Sequence, residues 1–238
     1  SHNLFKQAFS KHPMVKISKK DFIELDFTAR VKDGEIFDTT IKENIEKIKN
    51  KNPNIEIKPS LISVGSGMVI KGLEKSLEGK EIGEEYEEEF SPEEAFGKRN
   101  PQLVKTLPMK VFREKNIQPQ RGMQFDMDGM LVRIASASGG RVLADFNNPL
   151  SGKTVIYKFK VNKKVTDQKE KINALQEFFF KQKFEFELSA DNKEVTFKIP
   201  KGLTPYIDLQ KKNFEEILEI KVKTKEMAKK PEKSEKEE

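Results

Sequence analysis

The residues that could carry chemistry in this chain are few. There is no Cys, and the only two His, His2 and His12, precede Met14, the first residue that could open a native body. Disulfides, thiolate nucleophiles and Cys-ligated metals are excluded on that ground. Residues 1–13 read as a leader or unrelated extension, and if so the body is expected to lack the usual general base, the Ser-His-Asp arrangement and the commonest metal ligand. Carboxylates, hydroxyls and lysines remain. Asp38 is the most notable acid, set between Phe37 and Thr39-Thr40 just after Asp33-Gly34. An Asp in that setting more often serves as a turn or cap residue than as a catalytic one. The run Glu84, Glu85, Glu87, Glu88 and Glu89 reads as the wet face of a strand rather than as an acid pair. No phosphate loop, dinucleotide fingerprint or spaced metal ligands occur, so neither a metal nor a cofactor is expected. These residues point to a binding surface rather than to acid–base catalysis.

The elements that must position such a surface can be read from period and punctuation. Ile23, Leu25, Phe27, Ala29 and Val31 alternate with polar residues as a half-buried strand, Asp33-Gly34 turns, and Ile36-Phe37 returns. Thr40 is expected to cap a helix with Ile41, Ile45 and Ile48 on one face, followed by a strand from Leu61 to Val64. Val69-Ile70 lead into a helix from Lys71 to Glu78 that buries Leu73 and Leu77, with Gly79 at its C-terminal turn. A strand from Glu84 to Phe90 then meets Ser91-Pro92-Glu93-Glu94, a capping box that must end by Gly97.

From Lys98 to Asn148 the texture changes to short apolar strands, Met130 to Ala135 and Val142 to Phe146, around the turns Asp128-Gly129 and Gly139-Gly140. Four of the seven Met, Met109, Met123, Met127 and Met130, fall in this inserted unit. Unbranched Met side chains adapt to varied apolar partners, and they serve equally well to fill a small core. The first domain resumes at Val155, Tyr157, Phe159 and Val161. Beyond Thr166 a second body is expected, with a helical stripe at Ile172, Leu175 and Phe179. A hairpin across Asp191-Asn192, a helix from Pro205 to Leu218 and Ile220 to Val222 follow. Three successive Phe, Phe178 to Phe180, exceed what one helical face buries and point to a second surface, for dimerisation or for substrate cradling, of which a homodimer contact is the favoured expectation. A disordered Lys/Glu tail is expected from Glu226.

A chain of 238 residues suits two domains or one carrying an insertion. Its 45 basic and 39 acidic residues are interleaved, so the net +6 reads as a solvated surface and no nucleic-acid partner is expected. No apolar run is long enough to span a membrane and no signal-peptide pattern is visible. A cytoplasmic protein with no membrane partner is the expectation.

Four stretches in this order, Asp33-Gly34-Glu35-Ile36-Phe37-Asp38-Thr39-Thr40, Gly65, Val69-Ile70-Lys71-Gly72-Leu73-Glu74 and Ala95-Phe96-Gly97, resemble the FKBP-type peptidyl-prolyl cis-trans isomerases. The Pro-Glu-Glu-Ala-Phe-Gly segment followed by an inserted β unit is similar to the SlyD-like branch, and the added C-terminal body to the long archaeal FKBP proteins. The resemblance covers Lys16 to Val165.

It implies an α+β fold: an antiparallel half-barrel around a short helix, an inserted β-rich insert-in-flap domain, and an α+β C-terminal domain. The implied layout is a leader or appended extension at 1–13, an isomerase domain at 14–97 and 149–165, an insert at 98–148, a C-terminal domain at 166–225 and a tail at 226–238. The implied activity is rotation of X-Pro bonds in an apolar aromatic pocket while the insert holds unfolded segments. A binding-only holdase is the alternative. By this resemblance Asp38, Ile70, Phe96 and Tyr157 are the catalytic positions. Phe27, Phe37, Val69 and Leu73 bind substrate, with Met109, Met123, Met127 and Met130 doing so in the insert. Phe96 stands where Tyr is usual, Tyr157 where Phe is usual, and Ser60 where an apolar wall residue is expected. Partners would be unfolded or proline-containing polypeptides. The tail lacks the His and Cys of many SlyD relatives, so no nickel or zinc site is expected.

Overall fold

Ten consecutive residues with every other side chain apolar form β1 (Phe22–Val31), whose Ile23, Leu25 and Ala29 are fully buried. The turn after it is closed by Gly34 N–H to Val31 O at 2.9 Å, with Asp33 in the left-handed region at φ 57°. β2 (Ile36–Thr39) returns antiparallel to β1, pairing Ala29 with Asp38. A computed structural model describes residues 15–48, 56–127 and 129–227. The leader at 1–13, the turn residue Asp128 and all but two residues of the expected tail lie outside the described residues.

Thr40 does not cap the next helix. α1 (Lys42–Ile45) is a single turn with Ile41 at its N-cap and no side-chain cap bond. The Thr40 hydroxyl is taken by the neighbouring strand: it accepts from Phe27 N–H at 2.9 Å and donates to the Asp26 carboxylate at 2.8 Å. Ile41, Ile45 and Ile48 are only half-buried. β3 (Ser60–Ser63) pairs with the first half of β1 while β2 takes the second half. α2 (Lys71–Leu77) buries Gly72, Leu73 and Leu77, and Gly79 turns the chain out at φ +80° with its N–H on Ile17 O. β4 (Glu85–Phe90) follows, then a 3-10 turn at Pro92–Glu94 in which the Ser91 N–H and hydroxyl both donate to the Glu94 carboxylate.

The inserted segment contains more structure than its two hairpin signals indicate. It runs through β5 (Val104–Pro108), α3 (Met109–Glu114), β6 (Gln124–Met127), β7 (Met130–Ser138) and β8 (Arg141–Asp145). These strands form an antiparallel sheet in the order β5-β8-β7-β6 around Phe112, Ile134 and Val142. α3 buries a single side chain, Phe112, which is why no helical period announces it. The chain rejoins at β9 (Val155–Lys164), whose Val155, Tyr157, Phe159 and Val161 are buried. β9 lies between β1 and β4, so the main sheet runs β2-β1-β9-β4 with β3 beside β2 on β1, and all pairings are antiparallel.

A third sheet closes the chain. α4 (Gln168–Phe180) is capped by the Asp167 carboxylate on Glu170 N–H, and β10 (Glu185–Leu188) pairs with β11 (Glu194–Pro200) as a hairpin. α5 (Thr204–Leu218) then carries the chain to β12 (Lys221–Met227), parallel to β11. Two expectations are corrected here. Glu226 and Met227 belong to β12, and the Glu226 carboxylate accepts from Gly202 N–H and the Thr204 hydroxyl. Lys and Glu alternating along an edge strand look like a tail until the pairing is seen. Phe180, not Phe179, joins Ile172 and Leu175 in the core; Phe179 is half-buried against that core. The C-terminal core reaches the first one at Phe22 and Val165, and Met68 packs against both.

Candidate binding groove

Tyr157 is the hub of an aromatic cradle. Because β9 alternates, its ring points into the same interior as Ala29 on β1, its register partner. Phe27 lies 5.7 Å from it, Phe37 at 6.2 Å and Phe90 at 5.9 Å, the last two edge-on. Phe96, delivered by the 3-10 turn after β4, meets Phe37 edge-on at 5.6 Å. Such tilted and edge-on pairs are the favoured arrangements of ring quadrupoles. Leu73 of α2 is fully buried beneath them, and Val69 and Ile70 enter from the loop before that helix. Gly72 permits the close fit of α2 on β4: a Cβ there would lie 2.5 Å from the Phe90 ring.

Apart from Ala29, Phe90 and Gly72, these residues line one groove of about 1120 Å3, which also takes in Asp38, Ser60, Leu61 and Met68. Ile70 is the N-cap of α2; its carbonyl accepts from Glu74 N–H, and among the described residues its own N–H donates to nothing. A backbone donor at the edge of an apolar groove is suited to hold a carbonyl oxygen. Asp38 retains much accessible surface at the groove mouth, yet its carboxyl is crowded by protein atoms. That desolvation raises its pKa above the ordinary carboxylate value, against a lowering by the Thr39 N–H. Burial pushes the Tyr157 phenol well above its ordinary value, and the nearby Asp38 charge adds to the rise. Both effects favour a neutral phenol at physiological pH.

Phe27, Phe37, Asp38, Val69, Ile70, Leu73, Phe96 and Tyr157 thus all line the same groove. The four Met of the insert do not. Met109 packs against the small core at Phe112, Met127 is half-buried, and Met123 and Met130 are 38% and 52% exposed beside exposed Leu131. Sequence reasoning missed Phe90 as a cradle residue and Met68 as a wall. It also missed the far side of the groove, which α4 supplies through Asn173, Ala174, Glu177 and Phe178. The Phe178 to Phe180 run was a usable signal: Phe178 lines this groove, while Phe180 enters the C-terminal core with Phe179 packed against it. Among the described residues, no group of three or more His, Cys, Asp or Glu is placed to hold a metal ion, and no helix is long and apolar enough to cross a membrane.

Comparison with known proteins adds to this geometry. A family model described as FKBP26, IF domain, matches residues 105–150. The chain is 33% identical over 145 residues to the short-type peptidyl-prolyl cis-trans isomerase of Methanocaldococcus jannaschii, covering 61% of this chain and 92% of that protein. It is 28% identical over 152 residues to the FKBP-type peptidyl-prolyl cis-trans isomerase SlyD of Treponema pallidum, covering 62% and 77% respectively. Against the SlyD of Helicobacter pylori the identity is 33% over 113 residues, or 45% of this chain and 60% of that one. Among solved structures, AtFKBP13 matches with a TM-score of 0.34 at 16% identity over 65% of this chain and 86% of that one. With a relative one-third identical over nearly its whole length, the chain belongs to the FKBP-type peptidyl-prolyl cis-trans isomerases.

Proposed function

We propose that this protein rotates X-Pro bonds at the Tyr157 cradle while its inserted sheet holds unfolded segments nearby. The observation that carries this reading is the cradle itself: Phe27, Phe37, Phe96 and Tyr157 surround an apolar groove floored by Leu73. Rotation about an X-Pro bond meets a barrier of about 18–20 kcal/mol because amide resonance must be broken. The planar amide is the more dipolar state, so a water-poor aromatic wall disfavours it more than the twisted one. Each ~1.4 kcal/mol of that difference gives about tenfold in rate. No proton is transferred, so a body without His is no handicap. The Ile70 N–H is suited to hold a substrate carbonyl, and Asp38 at the mouth to orient the twisting bond.

We take residues 14–97 and 149–165 as the isomerase domain, 98–148 as the holding domain and 166–227 as the C-terminal domain, in a protein of the cytoplasm. Holding is supported by the exposed Met123 and Met130 at the end of the inserted sheet, with Leu131 exposed on the opposite face of β7, adaptable apolar side chains open to a partner. A homodimer through the C-terminal domain is supported by Leu209 on α5, 77% exposed.

The test is the isomerisation rate of a proline peptide with wild type and with Tyr157→Ala. Acceleration by wild type, and at least about tenfold less by the variant, is expected for loss of a central ring. An uncatalysed rate with wild type overturns the isomerase reading. A second reading, a binding-only holdase, is favoured by Phe96, which offers the substrate no phenol hydrogen bond. It requires aggregation suppression without any acceleration of a proline-limited refolding reaction.

A further inference from the structure

The groove continues past the cradle. Beyond Leu61 and Met68 its wall is α4, where Phe178 and Ala174 present apolar surface and Glu170 stands in the first turn. At about 1120 Å3 the space is larger than the roughly 300–1,000 Å3 that encloses a typical small ligand. A proline and its immediate neighbours leave much of it unfilled.

This wall is fastened in place. Lys58, on the approach to β3, reaches Glu56 at 3.0 Å and Glu177 of α4 at 3.1 Å, and Lys183 reaches Glu177 at 2.7 Å. Phe178 is held edge-on by Phe179 at 5.0 Å. The charge of the lining also differs from that of the chain. Five carboxylates and three lysines border the groove, whereas the whole chain carries +6. Glu177, Glu56 and Glu24 are paired with lysines. Glu170 and Asp38 have no ion pair among the described residues, which leaves an uncompensated carboxylate on each side of the groove.

We infer that α4 forms a second subsite for the same substrate chain, in which an extended segment beyond the proline seats an apolar side chain against Phe178 and Ala174 and a basic one near Glu170. The inference rests on the isomerase reading of the cradle. Continuity of the groove identifies the occupant as the polypeptide whose proline lies at Tyr157. The C-terminal domain is on this view a specificity element of the isomerase, selecting long, apolar and basic clients.

The experiment compares kcat/KM on a proline peptide of roughly four residues with that on one of roughly ten, the latter long enough at ~3.3–3.6 Å per residue to run beyond the cradle. The long peptide is made in two versions, with Lys or with Glu flanking an apolar residue, and is assayed at low and high salt. For wild type the long Lys version is the better substrate, by about fivefold at low salt, and salt reduces the advantage. Phe178→Ala lowers the ratio of long to short kcat/KM, chiefly through KM. Glu170→Lys, an exposed change that spares the packing, inverts the preference between Lys and Glu versions. Turnover of the short peptide with no length preference in wild type, or an unaltered ratio in both variants, overturns the subsite alone. No turnover of the short peptide overturns the isomerase reading and this one with it.

Discussion

Tyr157 shows how one residue is constrained by what surrounds it. Its ring is shared by three Phe, so Tyr157→Phe keeps the packing whereas Tyr157→Ala leaves a cavity of the kind that costs about 3–5 kcal/mol for large aromatics. Because burial raises the phenol pKa, the folded protein keeps the proton after the unfolded chain has lost it. The associated stability is complete below the ordinary value of 10.0 and is lost as pH rises above it. Thermal unfolding at about pH 9 and about pH 11 should show a larger loss for wild type than for Tyr157→Phe. Equal losses would remove the buried phenol as the cause. Asp38 has the opposite consequence at the acid end. Its raised pKa moves protonation upward from 3.8, so groove activity should fall with acidification earlier than an ordinary carboxylate predicts. Asp38→Asn should flatten that limb of the kcat/KM profile; a limb unchanged in the variant would assign it to another group. The same raised pKa means that ionised Asp38 costs stability at neutral pH, so Asp38→Asn is expected to unfold no more easily than wild type.

At the scale of elements, two close approaches hold the arrangement. Gly72 lets α2 lie against β4, and a methyl group there would press into the Phe90 ring at 2.5 Å. Gly72→Ala should therefore cost about 1–3 kcal/mol and weaken groove activity, since Phe90 in turn supports Tyr157. Denaturant midpoints would measure it. The neck of the insert is the second. Buried Asn147 donates to the Asn100 carbonyl at 3.0 Å and the Asp145 carboxylate at 2.8 Å, and accepts from Asn100 N–H at 2.8 Å. Asp145 also takes Arg99 and Arg133, and its carboxyl, though almost fully buried, sits below the ordinary value because Asn147 and these cations favour the charge. Asn147→Ala leaves these partners unsatisfied, at about 1–3 kcal/mol, and should raise hydrogen exchange through β5 to β8 more than in β9. Uniform exchange in both would argue that the neck is not a local fastening. Strands of strong alternation such as β1 and β9 were legible because one face of each is buried. β5, β6 and α3 were not, since each buries at most one side chain and a period needs repetition to be seen.

Over the whole molecule, the insert and the groove are separable by geometry. Gly97 O accepts from Gly152 N–H at 2.8 Å, so the chain leaves and re-enters the main sheet at nearly one point. Excision of Lys98 to Asn148 is expected to abolish suppression of aggregation while leaving a folded groove that still turns over a short proline peptide. Equal protection by the shortened protein would move the holding function elsewhere, with the α4 wall as the first alternative. The interleaved charge fits a chain whose ion pairs are mostly exposed, where each contributes roughly 0–1 kcal/mol, so the three cores rather than the salt bridges carry stability.

The sequence by itself determined the absence of thiol chemistry, the order of the family motifs and the two long alternating strands, because each depends on residue type or local period. It also placed Asp38, Ile70, Phe96 and Tyr157 in one expected site through resemblance. Only the tertiary structure decided that Phe178 faces the groove while Phe180 enters the core, that Thr40 serves β1 rather than α1, and that Glu226 ends a strand. The reason is the same in each case. The outcome is set by partners far away in the chain, Phe197 and Phe214 for Phe180, Phe27 across a sheet for Thr40, and Gly202 across a crossover for Glu226, and no local spacing carries that information.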